Sequence, residues 1–229
     1  MRKFILFALL SLFPFGAALP GPDASEEASN AEAVRIYTEA GLEDHVAFPV
    51  FKKAYEGYEK IADRKKEILT LIDFSKPSTE ERLYVIDIRH ARVLYHSLVA
   101  HGKNSGGVYA TSFGNTPGSN KSSLGFYLTE NTYIGRNGYS LVLNGLEKGI
   151  NDRAKERAIV MHGADYCDPS FVQSNGRPGR SLGCPALPRQ INSEVINTIK
   201  EGSVLYIYAP DPDYLAMSAF TPDRETNRS

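Results

Sequence analysis

Two side chains in this sequence have the types and setting needed for nucleophilic chemistry. Cys184 lies in Arg180-Ser181-Leu182-Gly183-Cys184-Pro185, and His162 ends the apolar run Ile159-Val160-Met161 just before Gly163. A sulfur that can ionise beside an imidazole that can take its proton is the minimum set for thiol catalysis of acyl transfer. Gly183 beside the sulfur lets backbone N–H groups approach a developing oxyanion, with Ser181, Leu182 and Gly183 as the loop that would supply them. Cys184 sits among Gly176, Pro178, Gly179, Gly183 and Pro185, a composition of an ordered loop and not of a strand interior. His162 precedes Cys184 in the chain, which is no obstacle, because such pairs are defined by geometry and role.

Other readings of the same residues stay open at this level. Cys167 and Cys184 are the two cysteines, and a disulfide between them would stabilise the fold by roughly 3 kcal/mol. His162, Asp165, Cys167 and Asp168 lie close together in sequence with types that zinc accepts, but no HxxxH or CxxC spacing accompanies them, so no metal site is expected.

The elements that must position these groups can be read from patterning. Residues 31–76 read as a helical prelude, with Phe48, Phe51, Ala54, Tyr55, Tyr58 and Ile61 at helical spacing and Lys52, Lys53, Glu56, Glu59 and Lys60 opposite. Beyond Arg82 the chain turns β-branched and aromatic, and residues 83–88 and 93–99 form a hairpin pattern. Further strands are expected at 125–128, 140–143, 158–161 and 204–208, and helices at 146–157 and 191–200. Gly102 to Ser123 is rich in Gly, Ser, Asn and Thr and reads as a long loop of the kind that often carries function. The expected class is mainly β, with short helices.

Residues 1–18 carry Arg2 and Lys3, an apolar stretch, and Gly16-Ala17-Ala18, the pattern of a cleavable signal peptide. An uncleaved anchor is the alternative. The expected divisions are therefore 1–18 signal peptide, 19–30 flexible leader, 31–76 prelude, 77–210 catalytic domain and 211–229 polar tail. A formal net charge of −1 leaves no basic excess for nucleic acid, and no later segment is long and apolar enough to span a bilayer. Export to a periplasmic or other extracytoplasmic compartment is the expectation.

His162, then Gly163-Ala164, sixteen residues, then Ser181-Leu182-Gly183-Cys184 resembles the signature of the L,D-transpeptidase catalytic domains that remodel peptidoglycan. Leu182 stands where that signature has histidine, and Pro185-Ala186 replaces its usual hydrophobic-Arg continuation, so the resemblance is to a divergent branch. It covers about residues 68–208, including Arg82–Asp87, Val99–Gly102 and Ser122–Gly125. It implies a β-sandwich-like domain and a thioester on Cys184, formed from a stem tetrapeptide with release of D-alanine and passed to an amine of a neighbouring stem. Hydrolysis of the same bond, or a catalytically silent wall-binding module, are the alternatives. No cofactor is implied, since the cleaved peptide bond supplies the energy. Within this resemblance Arg180, Gly163 and His101 are candidate substrate-binding residues, and peptidoglycan stem peptides are the expected partner.

Overall fold

The computed structural model describes residues 24–220; the signal-peptide reading of 1–18, the first residues of the leader and the end of the tail lie outside the described residues. Helix α1 (Ala24–Glu39) and α2 (Phe48–Lys60) lead into a sheet of eight strands. These are β1 (Ile68–Asp73), β2 (Leu83–Asp87), β3 (Arg92–Ser97), β4 (Gly125–Gly135), β5 (Gly138–Gly145), β6 (Val160–Gly163), β7 (Ala186–Leu187) and β8 (Val204–Tyr208). Short helices α3 (Pro169–Asn175), α4 (Arg189–Ile199) and α5 (Pro212–Met217) complete the chain. The class is the expected one, mainly β with short helices, and the strands form a single mixed sheet in the order β3-β2-β1-β8-β4-β5-β6-β7.

Strand β1 corrects the prelude. The helical reading ran to residue 76, but the helix stops at Lys60, and Ile68–Asp73 is a central strand, antiparallel to β2 and parallel to β8. Leu69, Leu71 and Ile72 are buried on both faces, which is why the run shows no alternation. Helix α2 has the expected apolar face, formed by Val50, Phe51, Ala54, Tyr55 and Tyr58. At Gly57 a Cβ would lie 2.0 Å from Cζ of Phe126, so only glycine lets the helix settle on that ring. The prelude is thus part of the core and not an appendage. The leader and tail are corrected likewise. Residues 24–30 belong to α1, and Tyr214 and Ser218 of the tail are buried, Ser218 Oγ donating to Glu147 Oε1 at 2.6 Å.

Residues 146–157 form consecutive turns instead of the expected helix. The Asn151 side chain accepts from the Glu147 N–H at 2.9 Å and donates to the carbonyls of Leu124 and Phe126. Side-chain bonds of this kind offer the backbone an alternative to helical pairing.

The sheet curls until its two edges meet. Ala100, just beyond edge strand β3, forms an antiparallel bridge with Ala186 of the opposite edge strand β7, and Gly102 bridges to Ser181. Behind this seam lies Arg82, fully buried (0% exposed). Its guanidinium donates to the Val99 carbonyl from Nε (3.2 Å) and Nη2 (2.9 Å), to the Lys76 carbonyl (2.9 Å), and to His101 Nδ1 (2.8 Å). The face of Phe74 covers it, 4.6 Å from Cζ to the ring centre. Burial, and secondarily the nearby Arg180, pull this guanidinium down to about 9, so it is still a cation at neutral pH. Replacing Arg82 by Met leaves three buried acceptors without donors, at a cost of about 3 kcal/mol or more. Urea unfolding of Arg82→Met is expected to show a lowered midpoint at unchanged slope; a loss below about 0.5 kcal/mol, the range of an ordinary surface substitution, would contradict the clamp.

Candidate active site

The seam carries the two groups singled out in the sequence. Strand β6 presents His162 between β5, where Ser140 is its partner, and β7, where Ala186 is. All four residues of β6 are buried, so the apolar run is what drives the imidazole into the wall of the fold. His162 Nδ1 lies 3.0 Å from the Gly163 carbonyl. Only a protonated Nδ1 can make that bond, so Nε2 carries the basic lone pair of the neutral ring. Burial holds the imidazole below its usual value, only partly opposed by that carbonyl.

The cysteine loop enters β7 two residues before the position opposite His162. Two residues are about 7 Å along a strand. Cys184 is 7% exposed, its Sγ accepting from the Val160 N–H at 3.5 Å and lying 3.7 Å from the Ala158 carbonyl. Burial pushes the thiol up, against the Val160 N–H and Arg157, which favour the thiolate. Both members of the pair therefore rest neutral, as thiol and imidazole.

Ser181 is used by the loop itself. Its Oγ donates to the Cys184 carbonyl at 2.6 Å and accepts from the Gly183 N–H at 3.1 Å, while its own N–H donates to the His101 carbonyl. Of the Ser181, Leu182 and Gly183 N–H groups expected to supply an oxyanion site, those of Ser181 and Gly183 are thus already engaged within the fold. Gly183 adopts φ +126°, and a Cβ there would meet the Lys121 carbonyl at 2.8 Å, so this position requires glycine. Ser122 Oγ ties the loop to the opposite wall, donating to the Gly183 carbonyl at 3.1 Å and accepting from the Gly102 N–H at 3.0 Å. Leu182 is 64% exposed at the loop's tip, an apolar surface where the family signature has an imidazole.

Three expected substrate contacts are placed otherwise. His101 is 0% exposed, accepts from Arg82 through Nδ1 and donates through Nε2 to the Gly106 carbonyl at 3.1 Å, so neither nitrogen is left for a substrate. Burial together with Arg82 and Arg180 pulls it down to about 3, fixing it as neutral. Arg180 donates to the carbonyls of Gly106, Gly107, Pro178 and Gly179, so its fork serves to fold the loop. Gly163 is packed on α4, where a Cβ would lie 3.1 Å from that of Asn192, and its carbonyl is held by His162.

Cys167 and Cys184 are both free thiols, with different surroundings. Cys167 donates to the Ala186 carbonyl at 3.1 Å in a small cluster with Ala100, Ala164 and Ala186, and burial pushes it up to about 12. A thiol so buried is inert. Among the described residues no three His, Cys, Asp or Glu side chains converge to hold a metal ion, and no helix is long and apolar enough to cross a membrane.

Arg82, Ser122 and Arg157 are site-building residues that patterning did not reveal. The arrangement of thiol, oriented imidazole and loop N–H groups can pass an acyl group through sulfur. Because His162 must be neutral to take the proton and is held below 6.5, the acid limb of the rate profile is expected below pH 6.5. A limb at or above that pH in kcat/KM would contradict this placement of the imidazole.

Among known proteins, no curated one gives a significant match. Solved structures match weakly. An L,D-transpeptidase from Mycobacterium smegmatis is 15% identical with TM-score 0.38, over 62% of this chain and 59% of that one. L,D-transpeptidase 3 of Mycobacterium tuberculosis is 10% identical with TM-score 0.40, over 62% and 61%. The helical cell shape determining protein of Campylobacter jejuni is 13% identical with TM-score 0.42, over 69% and 55%. The chain spans about three fifths of the length of these solved chains. The family model described as the L,D-transpeptidase catalytic domain matches residues 42–208, taking in α2, the whole sheet and the cysteine loop. On that match the chain belongs to the L,D-transpeptidase catalytic-domain family.

Proposed function

We propose that this protein is an exported cysteine acyltransferase acting on peptidoglycan stem peptides. The observation that carries the reading is the oriented imidazole. His162 donates from Nδ1 to the Gly163 carbonyl and so keeps a basic Nε2 on the strand that flanks the Cys184 loop. The signal-like residues 1–18 support export, and family membership supports the substrate class.

In the proposed cycle Nε2 takes the thiol proton as the sulfur attacks the carbonyl at the L-centre of the diamino acid in a tetrapeptide stem. The charge that develops on the carbonyl oxygen is met by the Leu182 and Cys184 N–H groups. Collapse of the tetrahedral adduct breaks the bond to D-alanine, whose amine receives the proton from the imidazolium. The thioester on Cys184 is then attacked by an amine of a second stem, with His162 again taking and returning a proton. A neutral resting pair suits this order, because no charge is stranded in a buried site before substrate arrives.

The test is incubation of the mature protein with isolated muropeptides, reading products by mass. Dimers with a new bond between diamino acids are expected, with free D-alanine. Tripeptide monomers alone would make the enzyme a carboxypeptidase, and unchanged material would leave a binding module. Cys184→Ala is expected to lower turnover by about 10³-fold or more with the fold retained. Turnover close to wild type in that variant would remove the mechanism.

A further inference from the structure

Arg157 closes the turns that precede β6, one residue before Ala158, whose carbonyl faces the Cys184 sulfur. Its side chain reaches under the cysteine loop. Nη2 donates to the Lys121 carbonyl at 2.5 Å and lies 3.3 Å from the point where a Cβ on Gly183 would sit. The other contacts are Nη1 to the Gly114 carbonyl at 2.8 Å and to Ser123 Oγ, and Nη2 to Ser119 Oγ at 3.4 Å. Every one of these partners is neutral. The neighbouring cations are different: Arg153 pairs with Glu156 and Lys155 with Glu130. Among the described residues no carboxylate comes within ion-pair distance of Arg157, so its charge stands uncompensated beside the residue that precedes the nucleophile.

We propose that Arg157 is a positioning residue whose fixed positive charge stabilises the Cys184 thiolate while its fork braces the loop that carries it. This rests on the reading of Cys184 as nucleophile. A thiolate in so enclosed a place needs a counter-charge. His162 supplies one only while it holds the proton, whereas a guanidinium is always charged. The ionisable groups that act on the sulfur are Arg157 from the turns and Tyr166 from the 3-10 turn Asp165–Cys167, so no carboxylate opposes the effect. Lys121 meets the loop through its backbone, its ammonium being turned to Ser112 Oγ at 2.7 Å. Pro185-Ala186 follows Cys184 in place of the family's hydrophobic-Arg continuation, and Arg157 comes from a different stretch of sequence.

The experiment follows the pH dependence of iodoacetamide alkylation at Cys184, resolved from Cys167 by peptide mass, in substrate-free protein. Arg157→Gln keeps a donor for the Lys121 carbonyl and removes the charge. Its midpoint is expected to rise by about one pH unit, so that alkylation at neutral pH falls about tenfold. Arg157→Lys is expected to restore most of the rate. Should Arg157→Gln not fold, Ser119→Asp places a carboxylate against the intact guanidinium and is expected to move the midpoint the same way. A midpoint unchanged in folded Arg157→Gln or Ser119→Asp, or loss of rate in Arg157→Lys equal to that in Arg157→Gln, would overturn the proposal. The readout is on the sulfur itself, so it stands apart from turnover in Cys184→Ala, whose persistence would instead sink the assignment of Cys184.

Discussion

Closure of the sheet on itself is the constraint from which the rest follows. The segment after β3 must meet β7, and it does so through the Ala100–Ala186 and Gly102–Ser181 bridges. The cysteine loop is thereby held from both sides: Ser181 hangs on the His101 carbonyl, and Gly183 is tied through Ser122 to Gly102. Buried Arg82 fastens the seam from behind by four contacts to Val99, Lys76 and His101. A buried guanidinium with only carbonyls, an imidazole and a ring face around it is costly to desolvate. It persists because four of its five N–H groups are matched to acceptors that would otherwise lack a donor. Cys184, the nucleophile of the proposed function, sits in the loop held by the same seam, so the interaction that closes the fold also fixes that loop.

The electrostatics separate two pairs of His and Cys side chains. His101 and Cys167 are sealed, neutral and bonded within the fold. His162 and Cys184 are also neutral at rest, His162 with a basic Nε2 and Cys184 with its sulfur held by the Val160 N–H. Burial works against charge on either member, so the neighbours that favour the thiolate matter: the Val160 N–H, the backbone of Cys184 and the guanidinium of Arg157. Ser181 helps to keep the loop in its turn without touching the chemistry.

The family was legible in the sequence because His-Gly followed by Ser-Leu-Gly-Cys sets an imidazole, a tight turn and a thiol in an order that core packing alone does not require. Strands with long apolar runs were legible too, and β8 spans the residues expected. Strand β4 is longer than its pattern. Past a register shift between Thr129 and Thr132 it continues into an exposed hairpin with Tyr133 and Ile134, where no core face imposes alternation. Ile68–Asp73 was hidden because a strand buried on both faces carries no period of two. The false helix at 146–157 has helical composition, and only the tertiary contacts of Asn151 reveal why it is turns. Arg82 and Arg157 were invisible for a related reason. A charged residue in a sequence reads as solvated, and nothing local says that it will be enclosed with neutral partners.

The central claim is that the acyl group rests on the sulfur of Cys184 between two half-reactions. Its most direct measurement is the intact mass of the protein quenched in acid during turnover of a tetrapeptide donor without acceptor, followed by peptide mapping. The account predicts a covalent adduct equal to the donor less D-alanine, confined to the peptide containing Cys184 and labile to hydroxylamine. D-alanine release with the protein mass unchanged at every time point, or an adduct on Cys167, would contradict it.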